Sequence, residues 1–191
     1  LDTNLIAARA TLYATLSSLY LNNGVRKDFD SLVTVLEMVA AEPFIDDAKE
    51  VAEAMLATLK SDKEGVLYEF EVLFNLPFGD FINSSASYYY DEREFGEQTI
   101  LAKEIMNEAG YIKADFVSLG EDDFGLLCAV SSRLLRDNHK ALQQRLFSEL
   151  LLPTVKGFID AQLNSQRAEF YKEAAKLFAL FVAFEKAYFE F

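Results

Sequence analysis

Lys63-Glu64-Gly65-Val66-Leu67-Tyr68-Glu69-Phe70-Glu71-Val72-Leu73-Phe74-Asn75-Leu76-Pro77 is the stretch that decides the fold. Leu67, Phe70, Leu73 and Phe74 recur at three- and four-residue steps, the spacing that puts side chains on one flank of an α-helix. Pro77 stops the run, because it has no N–H to give and its ring clashes with the preceding turn. The same period extends outward in both directions. Upstream, Ala10, Tyr13, Leu16, Leu19 and Tyr20 form one apolar stripe, which Asn22-Asn23-Gly24 ends with residues that tolerate a left-handed backbone. A second helix is expected over 28–40, and Pro43 is read as opening a third that ends near Leu59. Downstream, helices are expected over 95–109, 121–136, 138–151, 153–163 and 166–187. Pro153 stands where a helix start tolerates its missing N–H, and Phe170, Ala174, Leu177, Phe178, Phe181 and Tyr188 share one flank of the last helix. The expected fold is an all-α bundle, a single domain over 1–191 with a hinge near 110–120.

Helical periodicity breaks over 77–94. That stretch still holds Phe78, Phe81, Ile82, Tyr88, Tyr89 and Tyr90. A loop so long is uncommon in a compact domain and often functional, and one so aromatic is expected to pack back on the body. A short strand is considered over 87–90.

Composition bounds the rest. The chain is 51% hydrophobic with 17 Phe and 9 Tyr, so disorder is excluded, and 8 Gly and 3 Pro suit long helices. Eighteen Lys and Arg against 31 Asp and Glu give a net charge of -13, which repels nucleic acid and attracts cationic ligands. The single cysteine, Cys128, lies in an apolar run and reads as a buried, inert thiol. The sequence starts at Leu1 rather than Met, as expected if a few residues precede it. It shows no basic segment followed by an apolar block and no transmembrane run, so a cytoplasmic location is expected.

Catalytic chemistry has little to work with. One histidine, His139, leaves no His-based triad or two-histidine metal site, and Arg136 occupies the position that a Glu-x-x-His pair would need. Both glycine-rich phosphate cradles are missing. The chain is read as not an enzyme, with no cofactor of its own.

Two features remain. Between Asp91 and Asp123 stand ten carboxylates and three basic residues, a net of −7 in 33 residues. A solvated face accounts for part of this, with Ser118-x-x-Glu121 as a capping box and Asp122 and Asp123 opposing the positive end of a helix. The other explanation is a receptor for guanidinium groups, which carboxylates grip through paired hydrogen bonds. The second feature is the Phe70, Leu73, Phe74 edge, which is either core or an apolar groove. A groove beside an acidic rim would suit a basic, partly hydrophobic peptide, provided the two come together in space.

The run from Tyr68 to Pro77 also resembles the (W/Y/F)-x-x-L-F-x-x-P signature of the TorD/DmsD/NarJ family of redox-enzyme maturation chaperones. Ser87-Tyr88-Tyr89-Tyr90-Asp91 with Phe95-Gly96-Glu97 is similar to that family's S-x-Y-x-D … F-G-E segment. Glu121-Asp122-Asp123-Phe124-Gly125-Leu126-Leu127 resembles its E-D-H-x-G-L-L helix start. Arg9-Ala10-x-x-Tyr13-x-x-Leu16 and Glu169-Phe170-Tyr171-x-x-x-Ala175 fit as well, so the resemblance runs in order along nearly the whole chain.

The resemblance implies about ten helices, a cytoplasmic location, and binding of the twin-arginine leader or apo-form of a molybdopterin oxidoreductase until its cofactor is inserted. Guanine nucleotide and dimers by helix exchange are implied by the resemblance only; monomer and homodimer both stay open. Phe70, Leu73 and Phe74 match the family's apolar peptide contacts, and Asp122, with Glu121 beside it, matches its acidic hinge position. Asp123 departs from the usual His, and Leu150 and Thr154 depart from a usual His and Trp. The expected peptide-binding set is Phe70, Leu73, Phe74, Pro77, Tyr89, Asp91, Glu121, Asp122 and Asp123. A Mg²⁺-dependent nucleotide hydrolase and a general helical scaffold are the rival readings.

Overall fold

The computed structural model describes residues 3–77, 79–115 and 117–190. Phe78, one of the loop aromatics singled out above, lies outside them. The chain forms two compact units, Leu1–Tyr20 with Ser84–Lys156, and Leu21–Asn83 with Gly157–Phe191. It passes between them after Tyr20, Asn83 and Lys156, whereas the stretch near 110–120, expected as a hinge, lies inside the first unit.

In the first unit α1 (Thr3–Tyr20) packs along α8 (Phe124–Arg136). The Ser132 hydroxyl donates to the Ala10 carbonyl at 2.7 Å, which marks how close the two backbones run. Buried Arg9 donates to Gln143 at 3.1 Å, and Gln143 donates to the Tyr13 hydroxyl at 3.4 Å, so a charged group in this core keeps polar partners. Gln143 belongs to α9 (Lys140–Arg145), which widens into a π-helical turn, Leu146–Leu151, and resumes as α10 (Leu152–Asn164). Pro153 therefore sits just inside a restarted helix, and the wide turn before it absorbs its missing N–H. α6 (Ala86–Asp91) packs on α7 (Glu97–Glu108). Cys128 is buried, and burial pushes its thiol well above the usual range.

In the second unit the short α2 (Gly24–Lys27) leads into α3 (Phe29–Ala41), which packs on α4 (Ala48–Ser61). Asn23 takes the left-handed conformation its sequence context demands, with φ of 60°. Pro43 opens no helix; it lies in the connection, and left-handed Asp47 (φ 64°) holds back the start of α4. α5 (Lys63–Phe70) follows, capped by Asp62, which accepts the Gly65 N–H at 2.9 Å. α11 (Phe170–Tyr188) packs on α4 and α5.

The helix expected over 63–76 is two pieces, because Glu71–Asn75 is a π-helical turn closed by Leu76 N–H to the Glu71 carbonyl at 2.9 Å. The Leu73 carbonyl then accepts from Ile82 N–H at 2.7 Å, which ties the following loop back to the turn. The strand considered over 87–90 is α6 instead. Among the described residues there is no strand, only one isolated antiparallel bridge between Ser85 and Asp123. No helix among them is long and apolar enough to cross a membrane.

Candidate functional site

The second unit carries a recess of about 250 Å³ between the α1–α2 connection and α5. Its apolar lining is Leu21, Val25, Leu67 and Phe70, and its rim carries Arg26, Glu64, Tyr68 and Glu71. Positions 64, 68 and 71 share one face of a helix, which places acid, aromatic and acid in a row along the edge. Tyr68 is 70% exposed, an aromatic ring offered to solvent at the mouth of the recess. Arg26 and Glu64 pair across the rim at 3.8 Å.

Of the residues expected to bind peptide, Phe70, Leu73, Phe74 and Pro77 belong to this unit. Phe70 and Leu73 are 6% and 0% exposed, so neither is free as a docking surface in this conformation; Phe70 contributes only an edge to the recess. Phe70 and Phe74 pack with Tyr171 at centroid separations of 6.1 and 5.1 Å, and Phe74 reaches Phe158 at 6.1 Å. Beside them, the Glu69 carboxylate accepts the N–H groups of Glu169, Phe170 and Tyr171 at 2.9, 3.1 and 2.8 Å. Those are the orphan donors at the start of α11, satisfied by a side chain one hundred residues away. Pro77 is exposed after the π turn.

The remaining expected residues belong to the first unit, and there the acids face inward. Asp122 and Asp123 are 1% and 3% exposed. Asp122 accepts from the Ser85 hydroxyl at 2.6 Å, the Ser87 N–H at 2.8 Å and the Thr99 hydroxyl at 2.8 Å. Burial works against its ionisation, but these bonds outweigh it and hold the carboxyl below its ordinary range. Asp123 accepts from the Ser84 hydroxyl at 2.5 Å and, as the cap of α8, from Leu126 N–H at 3.1 Å. Burial dominates there and pushes its carboxyl up to about 6. The α8 cap is thus Asp123, not Ser118, and the two carboxylates tie the serine-rich segment at the start of α6 to α7 and α8. In this conformation neither is open to a client arginine.

The other acids are engaged too. Glu121 pairs with Lys103 at 3.6 Å and Lys113 at 3.4 Å, on the edge of a wider hollow of about 440 Å³. Asp91 accepts from Arg93 Nε at 3.0 Å, and its carboxylate lies where a Cβ on Gly96 would stand, 2.3 Å away. Half-buried Tyr89 packs on Phe124 at 6.0 Å. Among the described residues no three His, Cys, Asp or Glu side chains gather as a metal site.

A family model described as nitrate reductase delta subunit matches residues 22–172. The chain belongs to the nitrate reductase delta subunit family. This is the group of NarJ- and TorD-like chaperones that the motifs resemble, and the family role is maturation of a molybdoenzyme rather than catalysis. No curated protein gave a significant match.

In this delta-family chain the signature segments have local structural reasons. Glu69 in the first signature caps the helix that carries the Glu169-Phe170-Tyr171 signature. Asp91 and Gly96 meet within the second, and Asp122 starts α6. The sequence motifs include Glu69 and Ser87 without a role for either, and Ser84, Ser85 and Thr99 were not singled out. The cluster Ser84-Ser85-Ala86-Ser87 was a signal, since three hydroxyl donors in four residues need acceptors once buried. Leu21, Val25, Arg26 and Glu64 carried none, because only the fold joins them to Phe70.

Proposed function

We propose that this chain is a client-binding chaperone that acts in the cytoplasm. It takes the twin-arginine leader or another segment of an apo-molybdoenzyme and holds it until cofactor insertion is complete. The observation that carries this reading is the recess beside the family signature: Phe70 of the signature helps to line it, with Leu67, Tyr68 and Glu71 around it. A recess of about 250 Å³ suits one large apolar side chain, and its acidic rim suits a cationic neighbour.

Magnitudes set what the recess alone supplies. Burying one Leu or Phe side chain contributes roughly 1.5–3 kcal/mol, and each exposed ion pair about 0–1 kcal/mol. Their sum, about 1.5–5 kcal/mol with two such pairs, corresponds to a dissociation constant of roughly 0.2–80 mM. Tighter capture needs further apolar contact, for which Leu76 and Phe81 are exposed in the same unit. Charge then acts mainly on encounter rate and on the choice of basic segments. Occupancy of this kind needs no cofactor, and one copy or two serve equally.

Isothermal calorimetry with a peptide carrying an Arg-Arg pair followed by a Leu- and Phe-rich run tests the reading. Saturable one-to-one binding is expected, lost in Leu67→Arg with the helical spectrum intact. Heat indistinguishable from dilution for the wild-type chain would contradict it.

A further inference from the structure

We propose that Arg26 is a resident competitor at the recess: it occupies Glu64 while the recess is empty, and Glu64 and Glu71 grip the client's guanidinium groups when a segment docks. This rests on the chaperone reading above and assigns the part of that site which selects arginine. The chain itself supplies the precedent. Arg26 Nη2 stands 3.8 Å from Glu64 Oε2, with the two side chains 59% and 78% exposed. So the rim already accepts a guanidinium, in a pair loose and wet enough to exchange.

The geometry around that pair fits a paired cation. Glu64 and Glu71 lie seven residues apart along one helical face, about 10 Å by the helical rise. Tyr68 stands between them with its ring in solvent, a platform on which a planar guanidinium stacks better than an ammonium. The partner on Glu71 is the neutral Asn75 amide at 2.9 Å, which leaves the negative charge in place. Lys63, the neighbouring cation on the same helix, does not fill the rim, because its Nζ sits over the Phe29 ring, 4.0 Å from the centroid. Two neighbouring arginines on a turned, non-extended backbone can reach both acids with their long side chains, while an apolar residue beyond them enters the recess over Leu21, Val25, Leu67 and Phe70.

The competitor idea predicts effects of opposite sign. Fluorescence anisotropy with a labelled peptide bearing an Arg-Arg pair and a Leu/Phe run should give about 2–5-fold tighter binding for Arg26→Ala. Glu64→Gln and Glu71→Gln should each weaken binding about 2–5-fold, the scale of an exposed ion pair. The gain from Arg26→Ala should vanish in the Glu64→Gln background, and a Lys-Lys peptide should bind less tightly than the Arg-Arg one. All three positions are exposed, so unchanged melting curves are expected and verify folding. Arg26→Ala that leaves binding unchanged or weaker, or a gain that survives Glu64→Gln, overturns the proposal while peptide binding by the wild-type chain stands. A wild-type chain that binds neither peptide overturns the chaperone reading, and this inference with it.

Discussion

Asp122→Ala removes the acceptor on which the start of α6 depends. Three donors converge on that carboxylate, at 2.6, 2.8 and 2.8 Å. They do not suffer equally. The Ser85 hydroxyl is part-buried and can turn toward water, and the Thr99 hydroxyl has the Ser87 hydroxyl 3.2 Å away as a second partner. The Ser87 N–H has no such freedom and stays buried without an acceptor, at a cost of about 1–3 kcal/mol. Two lost charge-assisted bonds, partly replaced, add about 1 kcal/mol each. The sum is about 3–5 kcal/mol, or a fall in Tm of roughly 6–20 °C for a chain of this size. Urea unfolding followed by circular dichroism at pH 7 measures it. The carboxyl lies below its ordinary value of 3.8, so its stabilisation is present above that pH and lost as pH falls through the folded-state pKa. The gap between wild type and Asp122→Ala should therefore close in acid. A loss under about 1 kcal/mol at pH 7, or a gap that does not shrink in acid, would refute the role given to Asp122.

Asp123→Asn should change how stability depends on pH. Its carboxyl, pushed up from 3.8 to about 6, favours folding below 3.8, and that contribution is lost as pH rises through about 6. The urea-unfolding free energy of wild type relative to Asp123→Asn should therefore decline between pH 4 and 7, by on the order of 3 kcal/mol; a constant difference refutes the shift. Glu69→Gln keeps one oxygen for three N–H groups and should cost about 1.5–3 kcal/mol, with faster amide exchange at residues 169–171. Unaltered exchange there would show that α11 does not need this cap. Gly96→Ala places a methyl 2.3 Å from the Asp91 carboxylate and should cost about 1 kcal/mol. That cost should disappear in an Asp91→Ala background, and equal costs in both backgrounds would deny the contact.

Much of the fold was legible because helices advertise themselves through period. The expectation of a helix over 28–40 meets α3 at Phe29–Ala41, and the stripe ending at Tyr20 meets the end of α1. What escaped depends on tertiary partners. α6 starts where Asp122, 35 residues downstream, accepts the Ser87 N–H, so its start is set by a distant acceptor rather than by its own periodicity. The π turn at Glu71–Asn75 goes with aromatic packing around Phe70 and Phe74 and with the Ile82 N–H that takes the Leu73 carbonyl. Charge counting found the acidic stretch but could not tell outward carboxylates from inward ones. Asp122 and Asp123 face serines, Glu121 faces lysines, and the acids left facing solvent beside an apolar recess are Glu64 and Glu71, outside the cluster. Phe70 and Leu73 were found by spacing, but as helix-flank residues they went to the core, as apolar stripes usually do.

Site-specific photo-crosslinking locates the client segment on the molecule. A benzophenone amino acid replaces Tyr68 at the mouth of the recess or, as a control, exposed Phe95 in the other unit. The chain is then irradiated with the labelled Arg-Arg peptide. The account predicts a crosslinked product from position 68 that excess unlabelled peptide suppresses and Leu67→Arg abolishes. Crosslinking from position 95 alone, or from neither position under conditions where the peptide binds, would place the client elsewhere and contradict it.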